Sequence, residues 1–192
     1  MNDNILLQEQ ATKNLKPVLL ISAIFIIWSF IVIGPFKELI RAIILIVFMN
    51  VIATINYYDD IIPDKLNLLF GIVGIIMNLI TGNISILSMI GGFLIGGGGL
   101  FIIAFVYEVI TKREGLGGGL IKYVAVLGLW LGYKYILVAI ILGFIGLTII
   151  LPILVALKLK KVPSSIPADM FFSFGTLIAI LYGDKILNTI GW

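Results

Sequence analysis

Apolar residues come in runs close to 20 long, separated by short polar punctuation, from one end of the chain to the other. Runs of this length predict membrane-spanning helices, since about 20 residues at 1.5 Å each cross a hydrocarbon core of about 30 Å. Seven spans follow: 17–33, 39–57, 66–81, 86–110, 120–132, 135–157 and 167–183. The third is short, and Gly71 and Gly74 mark it for a tilt or a kink. The fifth is too short to cross alone unless its helix starts inside the preceding glycine run. Strands would show alternating polarity in segments of about ten residues, and that pattern is absent. The predicted class is all-α, a polytopic membrane bundle of six to seven helices. Residues 1–192 read as one membrane domain, with 1–16 a cytoplasmic tail and 17–192 the helical part. The apolar stretch after the tail is too long for a signal-peptide core and has no small-residue cleavage site, so it reads as a retained span. The final "DKILNTIGW" reads as an interfacial tail anchored by Trp192.

Composition sharpens this picture. The 192 residues are 61% hydrophobic and 12% charged, with a mean hydropathy of +1.21. Soluble domains carry about a quarter charged residues, so this chain cannot clothe itself in polar surface. Cysteine and histidine are both missing. That removes disulfides, thiolate chemistry, the usual metal ligands and the usual neutral-pH base, so no metal and no cofactor are expected. Carboxylates, lysines and tyrosines are left for acid–base work.

The lysines and arginine orient the chain. Lys13, Lys16, Lys65, Lys112, Arg113, Lys122, Lys158, Lys160 and Lys161 fall on one predicted side, against Lys37, Arg41, Lys134 and Lys185 on the other. Nine against four places the first side in the cytoplasm. The small net charge of +3 reads as a topology signal, and nucleic acid is not an expected partner. In the fourth span, Gly92 and Gly96 read as a close-packing seam, with a flexible gate as the rival reading. "GLGGGL", residues 115–120, is no phosphate loop, because it lacks the Gly-Lys-Ser/Thr ending and no strand precedes it.

One polar interruption carries the chemistry. "INYYDDIIPDKLN", residues 55–67, gathers Asp59, Asp60 and Asp64 within a few positions of Pro63. It is either a solvated turn or the rim of a site. Three stretches together resemble the type IV prepilin peptidases, membrane aspartic proteases that trim pilin precursors at the cytoplasmic face. The first supplies Ile62, Pro63, Asp64, Leu66 and Asn67 in the family's register. The second, "GLGGGLIKYVAVLGLWLG", supplies Gly117, Gly119, Lys122, Leu127, Gly128, Trp130, Leu131 and Gly132. The third, "IPADMFFSFGTLIAILYGDKIL", supplies Ile166, Pro167, Phe171 and Gly175.

The resemblance implies a pilin-like precursor as partner, a site on the cytoplasmic side of the cell membrane, and Pro63, Asp64, Gly117, Gly119 and Lys122 as motif residues. It also places the two catalytic aspartates of the family at Asn56 and Leu120. In that mechanism two carboxylates share a proton, one activating water and the other polarising the scissile carbonyl. An amide and an isobutyl group can do neither, so the chain as written is expected to be inactive, whether by nature or by design. Asp59, Asp60 and Glu108 are the substrate-binding candidates. Asp169, at the start of the last span, suits a helix N-terminus electrostatically. The cysteine-rich methyltransferase half of the larger bacterial enzymes has no match, so no methyl transfer and no S-adenosylmethionine site are expected. The rival readings are a non-catalytic scaffold that binds pilin-like helices and, more remotely, a small transporter.

Overall fold

A computed structural model describes residues 23, 24, 26, 27, 36–59, 61–112, 116–156, 168–189 and 191. The tail 1–16, most of the first predicted span, Asp60, Arg113, Gly115, Lys158, Lys160, Lys161, Ile166, Pro167 and Trp192 lie outside these residues. Everything described is helical or a short connection, with no strand among the described residues. In chain order the helices are α1 (Phe36–Asp59), α2 (Asp64–Thr81), α3 (Ile86–Phe93), a π-helical turn (Leu94–Gly98), α4 (Gly99–Thr111), α5 (Gly118–Ala156) and α6 (Ala168–Thr189). Five continuous helical stretches are long and apolar enough to cross a membrane, α3 to α4 counting as one. The chain is therefore a multi-pass membrane protein.

Inside each helix, periodicity selects the buried stripe. In α1, Leu39, Ala42, Leu45, Ile46, Met49, Ile52 and Ala53 face the bundle, at the three- and four-residue spacing of one helical face. Ile40, Val47 and Val51 face outward. Lipid is as apolar as these side chains, so shape rather than dehydration selects the inner face. Small residues mark where backbones touch. A Cβ at Gly92 would overlap the carbonyl oxygen of Gly128, and one at Gly96 would lie 2.5 Å from that of Val124. The glycine seam is thus a packing surface between the fourth predicted span and α5. Gly71 and Gly74 serve the same purpose, within one continuous helix α2. Gly71 faces Val126, and Gly74 leaves room for the Trp130 indole.

The fifth and sixth predicted spans are the two arms of α5. No loop joins them, since Gly132 alone, at φ 73° and ψ 174°, breaks the helix. Only glycine adopts that backbone without strain. The first arm, Gly118 to Leu131, is about 21 Å long and shorter than a full hydrocarbon core. It runs parallel to α2, with Lys122 beside Asp64 at one end and Asn78 beside Leu129 at the other. The second arm returns along α6. Tyr135 bonds to Asp184, while Gly143 and Gly146 receive Phe172 and Phe171.

The backbone groups freed at the break have assigned partners. Arg41 donates to the Trp130 carbonyl at 2.6 Å, and the Asn78 side-chain amide donates to the Leu129 carbonyl at 2.7 Å. On the far side of the break, the Tyr133 N–H reaches the Ser88 hydroxyl at 3.4 Å. Trp130 itself is fully buried, packs against Phe70 with the rings tilted by 32°, and donates its indole N–H to the Phe70 carbonyl at 3.0 Å. At the chain's end, the stretch expected to be an interfacial tail continues α6 as far as Thr189.

Candidate functional site

The opposite end of the bundle collects the residues singled out from the sequence. Helix α1 carries Asn56 in its last turn and stops at Asp59. Pro63 then sits at the N-cap of α2 with an extended backbone. Its ring fixes φ and needs no N–H donor, so it opens the next helix, while the residue before a proline is pushed out of the helical region. Asp64 is the first residue of α2 and Lys122 lies one turn into α5. The Lys122 ammonium donates to both carboxylate oxygens of Asp64, at 2.9 and 2.8 Å, and both side chains are more than half exposed. Gly119 lies against Ile62, where a Cβ would come within 3.3 Å. This glycine lets the start of α5 press onto the strand-like link between α1 and α2. Gly117 has open space around it, and its carbonyl accepts from the Leu120 and Ile121 N–H groups as α5 begins.

Asn56 and Leu120 differ in surroundings. Asn56 is half-buried and donates its side-chain amide to Asp169 Oδ1 at 2.6 Å, across 113 residues of sequence. Leu120 is 7% exposed and belongs to the same apolar cluster as Ile52, Ile62 and Tyr123. A polar thread runs between the two helices through α6. Asp169 accepts from Asn56, the Ser173 hydroxyl donates to the Asp169 carbonyl at 2.7 Å, and Ser173 pairs with the Tyr123 phenol at 2.7 Å. Tyr123 lies three residues after Leu120 and is fully buried.

Asp169 was the residue that sequence reasoning undervalued. It does open a helix, yet it is 1% exposed, with Oδ2 buried and without a hydrogen-bond partner among the described residues. A buried carboxyl oxygen without a partner is costly, by about 1–3 kcal/mol. The available signal was an acid placed just inside an apolar helix. What the sequence could not give was its partner. Asp59 is exposed at the end of α1, and Glu108 is exposed on α4. Neither reaches the Asn56–Asp169 pair through any of these bonds. Among the described residues there is no cluster of three or more carboxylates able to hold a metal. Chemically, the arrangement offers one carboxyl group, one carboxamide and one isobutyl group.

The type IV leader peptidase family matches residues 43–183, and this chain belongs to it. Its relatives include a Neisseria gonorrhoeae protein named prepilin leader peptidase/N-methyltransferase, 31% identical over 171 residues, covering 86% of this chain and 54% of the relative. A Legionella pneumophila protein of the same name is 27% identical over 165 residues, covering 84% of this chain and 55% of the relative. An Aeromonas hydrophila protein, again of that name, is 29% identical over 131 residues, 66% of this chain and 43% of the relative. The chain thus spans about half the length of the curated relatives it matches. No solved structure matches it.

Proposed function

We propose that this chain is a prepilin-peptidase-like protein that engages pilin-like precursors at the cytoplasmic membrane face, and that as written it does not cut them. The observation that carries the second half is Leu120. It is buried among apolar side chains at the position where the family resemblance puts a carboxyl group. Asn56 supports it, because its amide can donate to Asp169 and cannot take up a proton at neutral pH. A dyad mechanism needs both carboxyl groups to pass one proton between water and the scissile amide. With neither present, what is left of the family's function is recognition of the precursor.

The charge bias read from the sequence supports a cytoplasmic location for the Asn56 end. Asp59 and Asp64 are exposed there and suit a basic leader. The test is cleavage of a prepilin-like peptide by purified protein in detergent or nanodiscs. The unmodified chain, Asn56→Asp and Leu120→Asp should each be inactive. The double variant should cut at least about a thousandfold faster than either single one. Cleavage by the unmodified chain would show that another acid has taken over and that this reading is wrong.

A further inference from the structure

Beside the candidate site, the helical stretch from α3 to α4 leaves the bundle. The glycine seam holds α3 against α5 as far as Gly96 and Gly97, and the π-helical turn then re-aims the chain. In α4, Phe101, Ile102, Phe105, Val106 and Val109 are all exposed, with only Leu100 and Ala104 buried. The departure opens a lateral groove of about 550 Å³ between α2, the π turn and the first arm of α5. Leu68, Leu94, Phe101 and Val126 line it, and the backbones of Gly97 and Gly98 form part of its wall. A Cβ at Gly98 would meet nothing within 4 Å.

Two further features narrow what fits. Asn67 lines the groove, is 4% exposed, and has a side-chain oxygen with no hydrogen-bond partner among the described residues. At the groove's site end stands the exposed Lys122–Asp64 pair, and Lys122 follows Leu120 by two residues. An occupant must therefore be apolar along its length, offer a hydrogen-bond donor to Asn67, and end in polar groups level with the site. In the hydrocarbon region only a helix satisfies its own backbone while exposing apolar side chains, and bare glycine backbone is the surface against which such helices pack closely.

The geometry points to this groove as the docking surface for the single membrane-spanning helix of the precursor, with a hydroxyl- or amide-bearing residue of that helix donating to Asn67. The inference rests on the proposed engagement of a pilin-like precursor and says where its apolar segment lies. A helix seated there brings its polar end to Asp64 and Lys122.

The probe is a synthetic peptide with a lysine-rich leader and about 20 apolar residues, carrying one threonine at successive positions in the half nearest the leader. Its binding to the full chain in nanodiscs is measured together with photo-crosslinking. A benzophenone side chain at position 68 should capture the peptide, and one at the exposed position 87, on the opposite end of the bundle, should not. Gly98→Leu fills the groove and should weaken binding at least about tenfold, while Gly99→Leu, which also meets open space, should leave it unchanged. Leu68→Trp closes the groove from the other wall and replaces Gly98→Leu should that variant not fold. One threonine register should tighten binding about threefold, the scale of a hydrogen bond between membrane helices, and Asn67→Leu should erase that gain. Normal binding to both groove-filling variants, or capture of lipid alone at position 68, overturns the groove and leaves precursor engagement standing. Absence of binding to the unmodified chain overturns both.

Discussion

The two ends of the bundle use buried polar groups for different purposes. At the end away from the candidate site, Arg41, Asn78 and Ser88 all bond to backbone groups released by the Gly132 break. Arg41 is steadied by Glu38 at 3.3 Å, and both line a polar cavity of about 410 Å³ with Asn83, Tyr135 and Asp184. At the site end, Asn56, Asp169, Ser173 and Tyr123 bond chiefly to one another, across three helices. Among the described residues, no helix break there requires them. The first set repairs a defect that the fold needs. The second set ties α1, α5 and α6 to one another.

The largest difference between the ends should appear in stability. Arg41→Met removes the donor to the Trp130 carbonyl and leaves Glu38 without its partner, inside the bundle. The expected loss is about 3 kcal/mol, read from equilibrium unfolding in mixed micelles. Asp169→Asn replaces one acid with an isosteric amide that can still accept from Asn56, and should shift stability by less than about 1 kcal/mol. Equal losses at the two ends would remove the distinction.

A second measurement sharpens the same contrast. Gly132→Ala places a side chain at φ 73°, and its Cβ would lie 2.5 Å from the Ser88 hydroxyl oxygen. Both effects oppose the turn between the arms, at a cost of about 2 kcal/mol. Gly117→Ala, in open space at the site end, should cost less than about 1 kcal/mol. A harmless Gly132→Ala would mean that the arms do not depend on that residue's backbone freedom.

These positions also show how far the sequence could be read. Run length located the spans from 39 onward, because the bilayer sets a minimum length that composition alone satisfies. The close approach at Gly92 and Gly96 was legible for the same reason, since few other purposes put glycines four apart in a lipid-embedded helix. The reversal at Gly132 was harder. Nothing local separates a glycine that packs, such as Gly74, from one that turns the chain. The difference lies in Arg41 and Asn78, which are distant in sequence. Asn56 was found through the motif, whereas its bond to Asp169 joins positions 113 residues apart. Such a pairing is a product of the fold. The same holds for Asp64, which read as part of an acidic cluster and is bonded to Lys122.

Asp169 also qualifies how the chemistry would return. In the Asn56→Asp, Leu120→Asp variant, an acid at position 56 would face Asp169 across the separation now closed by a 2.6 Å hydrogen bond. Two carboxyl groups so close hold one proton between them. Position 56 would then share its proton with the wrong partner. Adding Asp169→Asn to that double variant should raise its cleavage rate about tenfold. An unchanged rate would mean that Asp169 turns away once position 56 is acidic.

The smallest expected effects are those of the charged rim, and they separate its members. Asp64 is paired with Lys122 at 2.8 Å, so a basic leader meets a carboxylate whose charge is already offset. Asp59 is exposed at the end of α1, and no such pairing with Lys122 engages it. For a lysine-rich leader peptide, Asp59→Asn should therefore weaken binding about threefold at low salt, and Asp64→Asn by less. Lys122→Gln should strengthen binding, because it frees Asp64 and removes a repelling cation. All three changes should shrink as ionic strength rises from about 0.01 M to 0.15 M, where the screening length falls from about 30 Å to about 8 Å. The exposed pair itself should contribute less than about 1 kcal/mol to stability, so Lys122→Gln leaves the fold intact and the binding change can be read directly. Weaker leader binding by Lys122→Gln would reverse the assignment and make the lysine, not the aspartates, the group that meets the precursor.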